Sequence, residues 1–84
     1  MNKLENLKKK ILYRSSYRGT KEMDLLLGSF VRFYINEFNE KELSDLSNLL
    51  DIEDEILLNF YLNETPHNKL KENKITDLYK KFKL

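Results

Sequence analysis

Few side chains in this 84-residue sequence have the chemistry to do work, and those that do fall together. Arg18, Gly19, Glu22 and Asp24 stand within seven consecutive positions, Arg18-Gly19-Thr20-Lys21-Glu22-Met23-Asp24. Arginine offers a rigid fork of donors that matches carboxylates and backbone carbonyls. Glycine leaves backbone bare, so a partner can approach closely, and it tolerates a positive φ that a side chain resists. Glu22 follows Arg18 by four positions, the spacing at which the two pair on one face if the turn is helical. Failing that, Glu22 sits near the positive end of a helix dipole. This set is suited to recognition through charge-assisted hydrogen bonds, not to bond-breaking. Each piece is also common at helix ends, so on residue types alone a plain helix joint explains the cluster as well.

The rest of the chain offers catalysis little. There is no cysteine, which removes thiolate nucleophiles, disulfides and cysteine-based zinc sites and suits a reducing compartment. His67 is the single histidine and follows Pro66 with no ligand-type neighbours in metal-site spacing, so it reads as a surface turn residue. Gly19 and Gly28 are isolated, without the strand–turn–helix context of a dinucleotide loop. Lys8, Lys9, Lys10, Arg14 and Arg18 make the N-terminal region basic. Yet 15 Lys and Arg against 14 Asp and Glu leave a net charge of only +1, which argues against a general nucleic-acid role. The simple reading of that basic stretch is a solvated helix face. Tyr13, Tyr17 and Tyr34 are candidate interface anchors; Tyr17 adjoins the cluster, whereas Tyr34 lies on a core stripe. Glu53-Asp54-Glu55 is an acidic run that a helix N-terminus accommodates, with part of a partner contact as the alternative.

The elements that must position this cluster are all helical. Apolar residues recur at three- and four-residue spacing almost throughout, and no segment alternates as a strand does. Leu4, Leu7 and Ile11 stripe a first helix that ends near Ser15 or Ser16. Met23, Leu26, Leu27, Phe30, Val31, Tyr34 and Phe38 stripe a second from about residue 21 to residue 38; this stripe is core, not a cofactor pocket. Asn39 with Glu42 reads as a capping box opening a third helix, which carries Leu43, Leu46, Leu49 and Leu50. Asp51 is the expected cap of a fourth with Ile56, Leu57, Phe60 and Tyr61, and Pro66 cannot continue it. Ile75, Leu78, Tyr79 and Phe82 define a last helix, to which Leu70 fits less well. The expected architecture is all-α: one domain over residues 1–84, a compact bundle of about five helices with one core.

The order of residues around the cluster carries more than their types. Arg18-Gly19-Thr20-Lys21-Glu22, followed by Met23-Asp24-Leu25-Leu26-Leu27-Gly28-Ser29-Phe30, resembles the signature of the succinate dehydrogenase assembly factor 2 family, the SdhE or flavinylation factor family. Leu12-Tyr13-Arg14-Ser15 resembles the end of that family's first helix. Leu49-Leu50-Asp51-Ile52-Glu53-Asp54 with Leu57-Leu58-Asn59-Phe60-Tyr61-Leu62 resembles its fourth-helix region. The resemblance runs from about Leu7 to Pro66, and the tail beyond carries none. Two positions depart from it: Tyr17 stands where a second basic residue is frequent, and Phe60 where tryptophan is.

The resemblance implies a small helical chaperone, not an enzyme. Such a protein binds the flavoprotein subunit of succinate dehydrogenase, or in some bacteria of fumarate reductase, and promotes covalent attachment of FAD to it. It implies no stably bound cofactor and no metal, since FAD is attached on the partner. The candidate partner-binding residues are Arg18, Gly19, Glu22 and Asp24 of the motif run, with Arg14 and Tyr17 beside it. The expected state is a monomer that self-associates weakly, if at all, through the same face. Two other classes fit the helical pattern alone, a small adaptor and a nucleic-acid-binding regulator. The longest unbroken apolar run, Leu25-Leu26-Leu27, is far short of the roughly 20 residues of a membrane span. With no apolar secretory segment or transit peptide after Met1, the expectation is a bacterial cytoplasmic protein, or a mitochondrial matrix protein if eukaryotic.

Overall fold

Among the described residues, side-chain caps open the helices that begin at Lys21, Glu40 and Lys74, and the helix that begins at Asp54 starts without one. The structure, a computed structural model, describes residues 3–16 and 18–84. It holds α1 (Lys3–Ser16), α2 (Lys21–Tyr34), α3 (Glu40–Leu50), α4 (Asp54–Asn63) and α5 (Lys74–Lys81), with no strand among the described residues. The all-α bundle expected from periodicity is what forms. Its Cα radius of gyration, 12.1 Å, matches the value of about 12 Å for a compact chain of this length.

Thr20 caps α2: its backbone is extended and its hydroxyl accepts the Met23 N–H at 3.2 Å. Asn39 and Glu42 form the expected capping box, with bonds of 2.8 and 2.9 Å. A second box, Asn73 with Thr76, opens α5. Each cap satisfies N–H groups that the helix itself cannot.

Two expectations about boundaries are corrected. The second helix ends at Tyr34, not Phe38. Residues 35–37 form a turn in which the Glu37 N–H bonds the Tyr34 carbonyl at 2.9 Å. Ile35 and Phe38 are buried from this turn, and Phe38 stacks on Tyr34 with ring centroids 5.3 Å apart. The apolar stripe thus outlasts the helix because the turn folds back onto the core. Asp51, expected to cap α4, instead closes α3, and its carboxylate bonds Arg14. The N-cap of α4 is Glu53, which makes no side-chain cap bond. At the other end of α4, Glu64 takes a left-handed φ of 52° and its N–H bonds the Phe60 carbonyl, two positions before Pro66.

The core is one cluster. Ile11 of α1, Leu27, Phe30 and Val31 of α2, Leu43 and Leu46 of α3, Leu57 of α4 and Ile75 and Tyr79 of α5 are all fully buried. Burying each such side chain is worth about 1.5–3 kcal/mol. Helix α1 packs on α2 and α3, α3 on α5, and α4 on α5. Tyr79 anchors the centre: its hydroxyl donates to the Leu57 carbonyl at 2.8 Å, and burial pushes its ionisation far above the ordinary tyrosine value. Phe30 meets Tyr34, Tyr79 and Phe82 edge-on. Tyr34, placed on the core stripe from sequence, is half-buried against the cluster, as is Leu70. No described helix is long and apolar enough to cross a membrane.

Candidate functional site

Between α1 and α2 the chain makes a tight corner, Arg18-Gly19-Thr20, whose backbone N–H groups have no helix to satisfy them. Two carboxylates do so instead. The Arg18 N–H donates to Oδ1 of Asp24, from the first turn of α2. The Gly19 N–H donates to Oδ2 of Asp54 at 2.9 Å. Asp54 is the first residue of α4, so an acid from a distant helix start fixes the peptide that precedes Gly19.

The Arg18 side chain reaches inward. Its side chain is only 11% exposed. Nε donates to Asp54 Oδ1 at 2.8 Å, and Nη2 lies 2.6 Å from the same oxygen. Nη2 also reaches the Ile52 carbonyl at 3.2 Å, and Nη1 the Leu50 carbonyl at 3.0 Å and the Arg14 carbonyl at 3.5 Å. Leu50 ends α3 and Arg14 lies in the last turn of α1. The guanidinium therefore sits where two helices present unpaired carbonyls and the negative ends of their dipoles. Its counterion stands at the positive end of a third. Helix α3 has no basic residue in its own last turn. Of the two alternatives for Glu22, the second holds: it lies in the first turn of α2, while the carboxylate partner of the Arg18 guanidinium is Asp54. The physical reason is that residues 18–20 are not helical, so the four-residue spacing does not bring the two side chains to one face.

Arg14 works on the same helix end. Nη1 donates to the Ser47 hydroxyl at 2.8 Å and Nη2 to the Ser47 carbonyl at 3.3 Å, while Nη2 also bonds Asp51. With Arg14 and Arg18 both turned onto α3, the basic N-terminal stretch is not a uniform stripe facing solvent. Lys8 reaches Asn36 at 3.5 Å.

Gly19 is exposed and its φ is not positive, so the conformational freedom of glycine is not used here. A Cβ built there would stand 3.4 Å from Asp54 Oδ2, an ordinary contact. The fold therefore does not require glycine at this position, and what its absence of a side chain leaves is bare backbone at the surface. Glu22 is exposed in the first turn of α2, and Asp24 is half-buried. Beside them Leu25 is 57% exposed. Ser16, Lys21, Asp24, Leu25 and Arg32 line a shallow depression there. The expectation for Tyr17 lies outside the described residues. Tyr13, one of the other aromatic candidates, is exposed on α1.

Sequence reading placed Arg14, Arg18, Gly19, Glu22 and Asp24 at one joint, and the structure brings them together. It missed Asp54, Asp51 and Ser47, which complete the joint from α3 and α4. The acidic run at 53–55 was the available signal for Asp54, but a helix dipole alone explains such a run. Of its members, Glu53 pairs with Lys69 at 2.7 Å. His67 sits in a turn, its Nδ1 accepting the Lys69 N–H at 3.0 Å. Among the described residues no group of acids and histidine is arranged to hold a metal ion. The arrangement as a whole can present a rigid, polar, partly bare surface; it offers no nucleophile with an adjacent base.

The described residues form an all-helical bundle with a polar corner between α1 and α2. The family profile described as "Sdh5: Flavinator of succinate dehydrogenase" matches residues 9–83, and the chain belongs to this family. The match continues well past Pro66, so the tail, which carried no resemblance on its residues alone, belongs to the family domain. The chain is 41% identical over 64 residues to a mitochondrial succinate dehydrogenase assembly factor 2 of Dictyostelium discoideum, covering 76% of this chain and 45% of that protein. It is 30% identical over 75 residues to the FAD assembly factor SdhE of Acetobacter pasteurianus, covering 89% of this chain and 66% of that one. A further mitochondrial assembly factor 2, from Scheffersomyces stipitis, is 44% identical over 48 residues, 57% of this chain and 32% of that protein. The chain thus spans less than half the length of the two mitochondrial relatives and about two thirds of the bacterial one. No solved structure matches.

Proposed function

We propose that this chain is an assembly factor that binds the flavoprotein subunit of succinate dehydrogenase and promotes covalent attachment of FAD to it, without itself being an enzyme. The observation that carries the reading is the family match across residues 9–83, which contains the whole Arg14–Asp24 joint. The geometry agrees with a chaperone's contact. Gly19 offers backbone that a partner can approach, Glu22 an exposed carboxylate for charge-assisted bonds, and Leu25 apolar area beside them. Asp24 closes the corner from below. Arg14 flanks it on the α1 side and Arg18 holds it from inside.

A protein of this kind works by preferring one conformation of its client. If it binds the attachment-competent state of the flavoprotein more tightly by about 1.4 kcal/mol, that state gains about tenfold in population. The chain needs no bound cofactor for this, because the bond forms within the flavoprotein. A fumarate reductase flavoprotein is the second candidate client. The compartment follows the client, bacterial cytoplasm or mitochondrial matrix.

The test is co-expression with the succinate dehydrogenase flavoprotein of the same genome, reading covalent flavin by in-gel fluorescence. Wild type should raise the signal, and Gly19→Arg and Glu22→Ala should each lower it at equal protein level. Unchanged fluorescence with both variants would remove this face from the mechanism, and no rise with wild type would remove the function.

A further inference from the structure

We infer that Asp54 is the positioning residue of the docking corner, and that Arg18 acts through it and not by touching the partner. This rests on the docking reading proposed above and adds to it the residue that shapes the surface.

The guanidinium of Arg18 is already engaged inside the fold. A guanidinium has one N–H on Nε and two on each Nη, none of which can accept. Nε is engaged by Asp54, Nη1 by the Leu50 and Arg14 carbonyls, and Nη2 by the Ile52 carbonyl and Asp54. Each of the three nitrogens donates to an acceptor inside the fold, Nη2 also stands in an ion pair with Asp54, and the side chain is 11% exposed. A partner carboxylate could reach Arg18 only by displacing one of these, leaving a helix-end carbonyl or Asp54 unpaired in a poorly solvated place.

Asp54 does two things with its two oxygens. Oδ1 holds the guanidinium and Oδ2 holds the Gly19 N–H. It therefore ties the bare peptide at the surface to the buried cation beneath, and through them fixes where α2 begins and where Glu22 projects. Asparagine cannot reproduce this, because one of its two terminal atoms is a donor and would face either Arg18 or the Gly19 N–H. Glutamate keeps both acceptors at the cost of one extra methylene.

The experiment uses the full chain and the purified flavoprotein subunit from the same genome. Affinity is measured for wild type, Asp54→Asn, Arg18→Gln and the double variant, with Glu22→Gln as a direct-contact control. Asp54→Asn and Arg18→Gln should each weaken binding by about tenfold. The double should be within about threefold of either single, because the two residues act as one unit. Glu22→Gln should combine with Asp54→Asn to less than the product of their separate effects, because Asp54 sets where Glu22 projects, and Asp54→Glu should recover most of the lost affinity. Effects of Arg18 and Asp54 that multiply, or wild-type affinity in folded Asp54→Asn, overturn the positioning role. Amide exchange in wild type supplies a check that needs no variant to fold. The exposed Gly19 amide should exchange at least about tenfold slower than in an unstructured peptide, and exchange at the peptide rate overturns the proposal. Wild type that binds no flavoprotein overturns the docking reading alone, since the Gly19 exchange result stands apart from it.

Discussion

Gly19 and Asp54 meet across the corner between α1 and α2: the Gly19 N–H donates to Asp54 Oδ2 at 2.9 Å, and a Cβ on Gly19 would stand 3.4 Å from that same oxygen. The glycine is close to its neighbour without being forced into the left-handed region. This separates the needs of the fold from those of a partner. Gly19→Ala should fold with a melting temperature within about 3 °C of wild type, because an exposed substitution without strain changes stability by no more than about 0.5 kcal/mol. Gly19→Arg should also stay helical by circular dichroism, yet lose flavoprotein binding. Loss of the fold in Gly19→Ala would place the glycine's role in stability.

Arg14 clamps α1 to the end of α3 through Ser47 and Asp51. The ion pair is well exposed, with Arg14 at 33% and Asp51 at 68% of full side-chain exposure, so its charge contribution is small. The bonds to Ser47 contribute more, because a helix-end carbonyl goes unpaired without them. Arg14→Ala should cost about 1 kcal/mol, a drop of roughly 4–8 °C in melting temperature. Asp51→Asn should cost less than about half of that. The affinity of folded Arg14→Ala for the flavoprotein should change by less than about threefold; a larger loss would make Arg14 a direct contact.

Gly28 is buried in the middle of α2, and the nearest atoms to a Cβ there belong to the guanidinium of Arg32, at 3.0 Å and beyond. That guanidinium is the free end of a flexible side chain and can move aside. Alanine is favoured over glycine inside a helix by about 0.8–1 kcal/mol. Gly28→Ala should therefore raise the melting temperature by several degrees in thermal denaturation. A fall would mean that Arg32 cannot leave its place over α2.

Glu42 links two elements: it accepts from Lys74 at 2.7 Å and from the Asn39 N–H at 2.9 Å. The Lys74 bond first, and the Asn39 N–H second, hold its carboxyl below the ordinary value of 4.5. A carboxylate whose folded value is depressed contributes stability that is fully present above its unfolded value. That contribution is lost as pH falls through the folded one. Wild type should therefore lose stability as pH drops below about 4.5. Glu42→Gln keeps the capping geometry without the charge, so its stability should fall less over the same range. Chemical denaturation at about pH 6, 4.5 and 3 reads this directly. Glu53, lowered chiefly by Lys69, contributes with the same sign.

The sequence by itself determined the helices, the capping box that opens α3 and the face each helix buries. These depend on residues three and four positions apart, and Asn39 with Glu42 is an instance in which pattern and structure coincide. It also placed Arg14, Arg18, Gly19, Glu22 and Asp24 at one joint, and the order of residues around them pointed to the family. It misjudged Phe38 because a residue buried from a turn has the same spacing as one buried from a helix. It misjudged Asp51 because an acid three residues ahead of a helix is equally an acid closing the previous one. Only the tertiary structure decided the partner of Arg18. The nearby acid Glu22 had the right spacing, but the chain at 18–20 is not helical, and Asp54 arrives from a helix start 36 positions away. Local spacing fixes periodic elements because their hydrogen bonds are local. A buried charge is settled instead by whichever carboxylate and carbonyls the packed helices bring within reach, and no spacing along the chain encodes that distance.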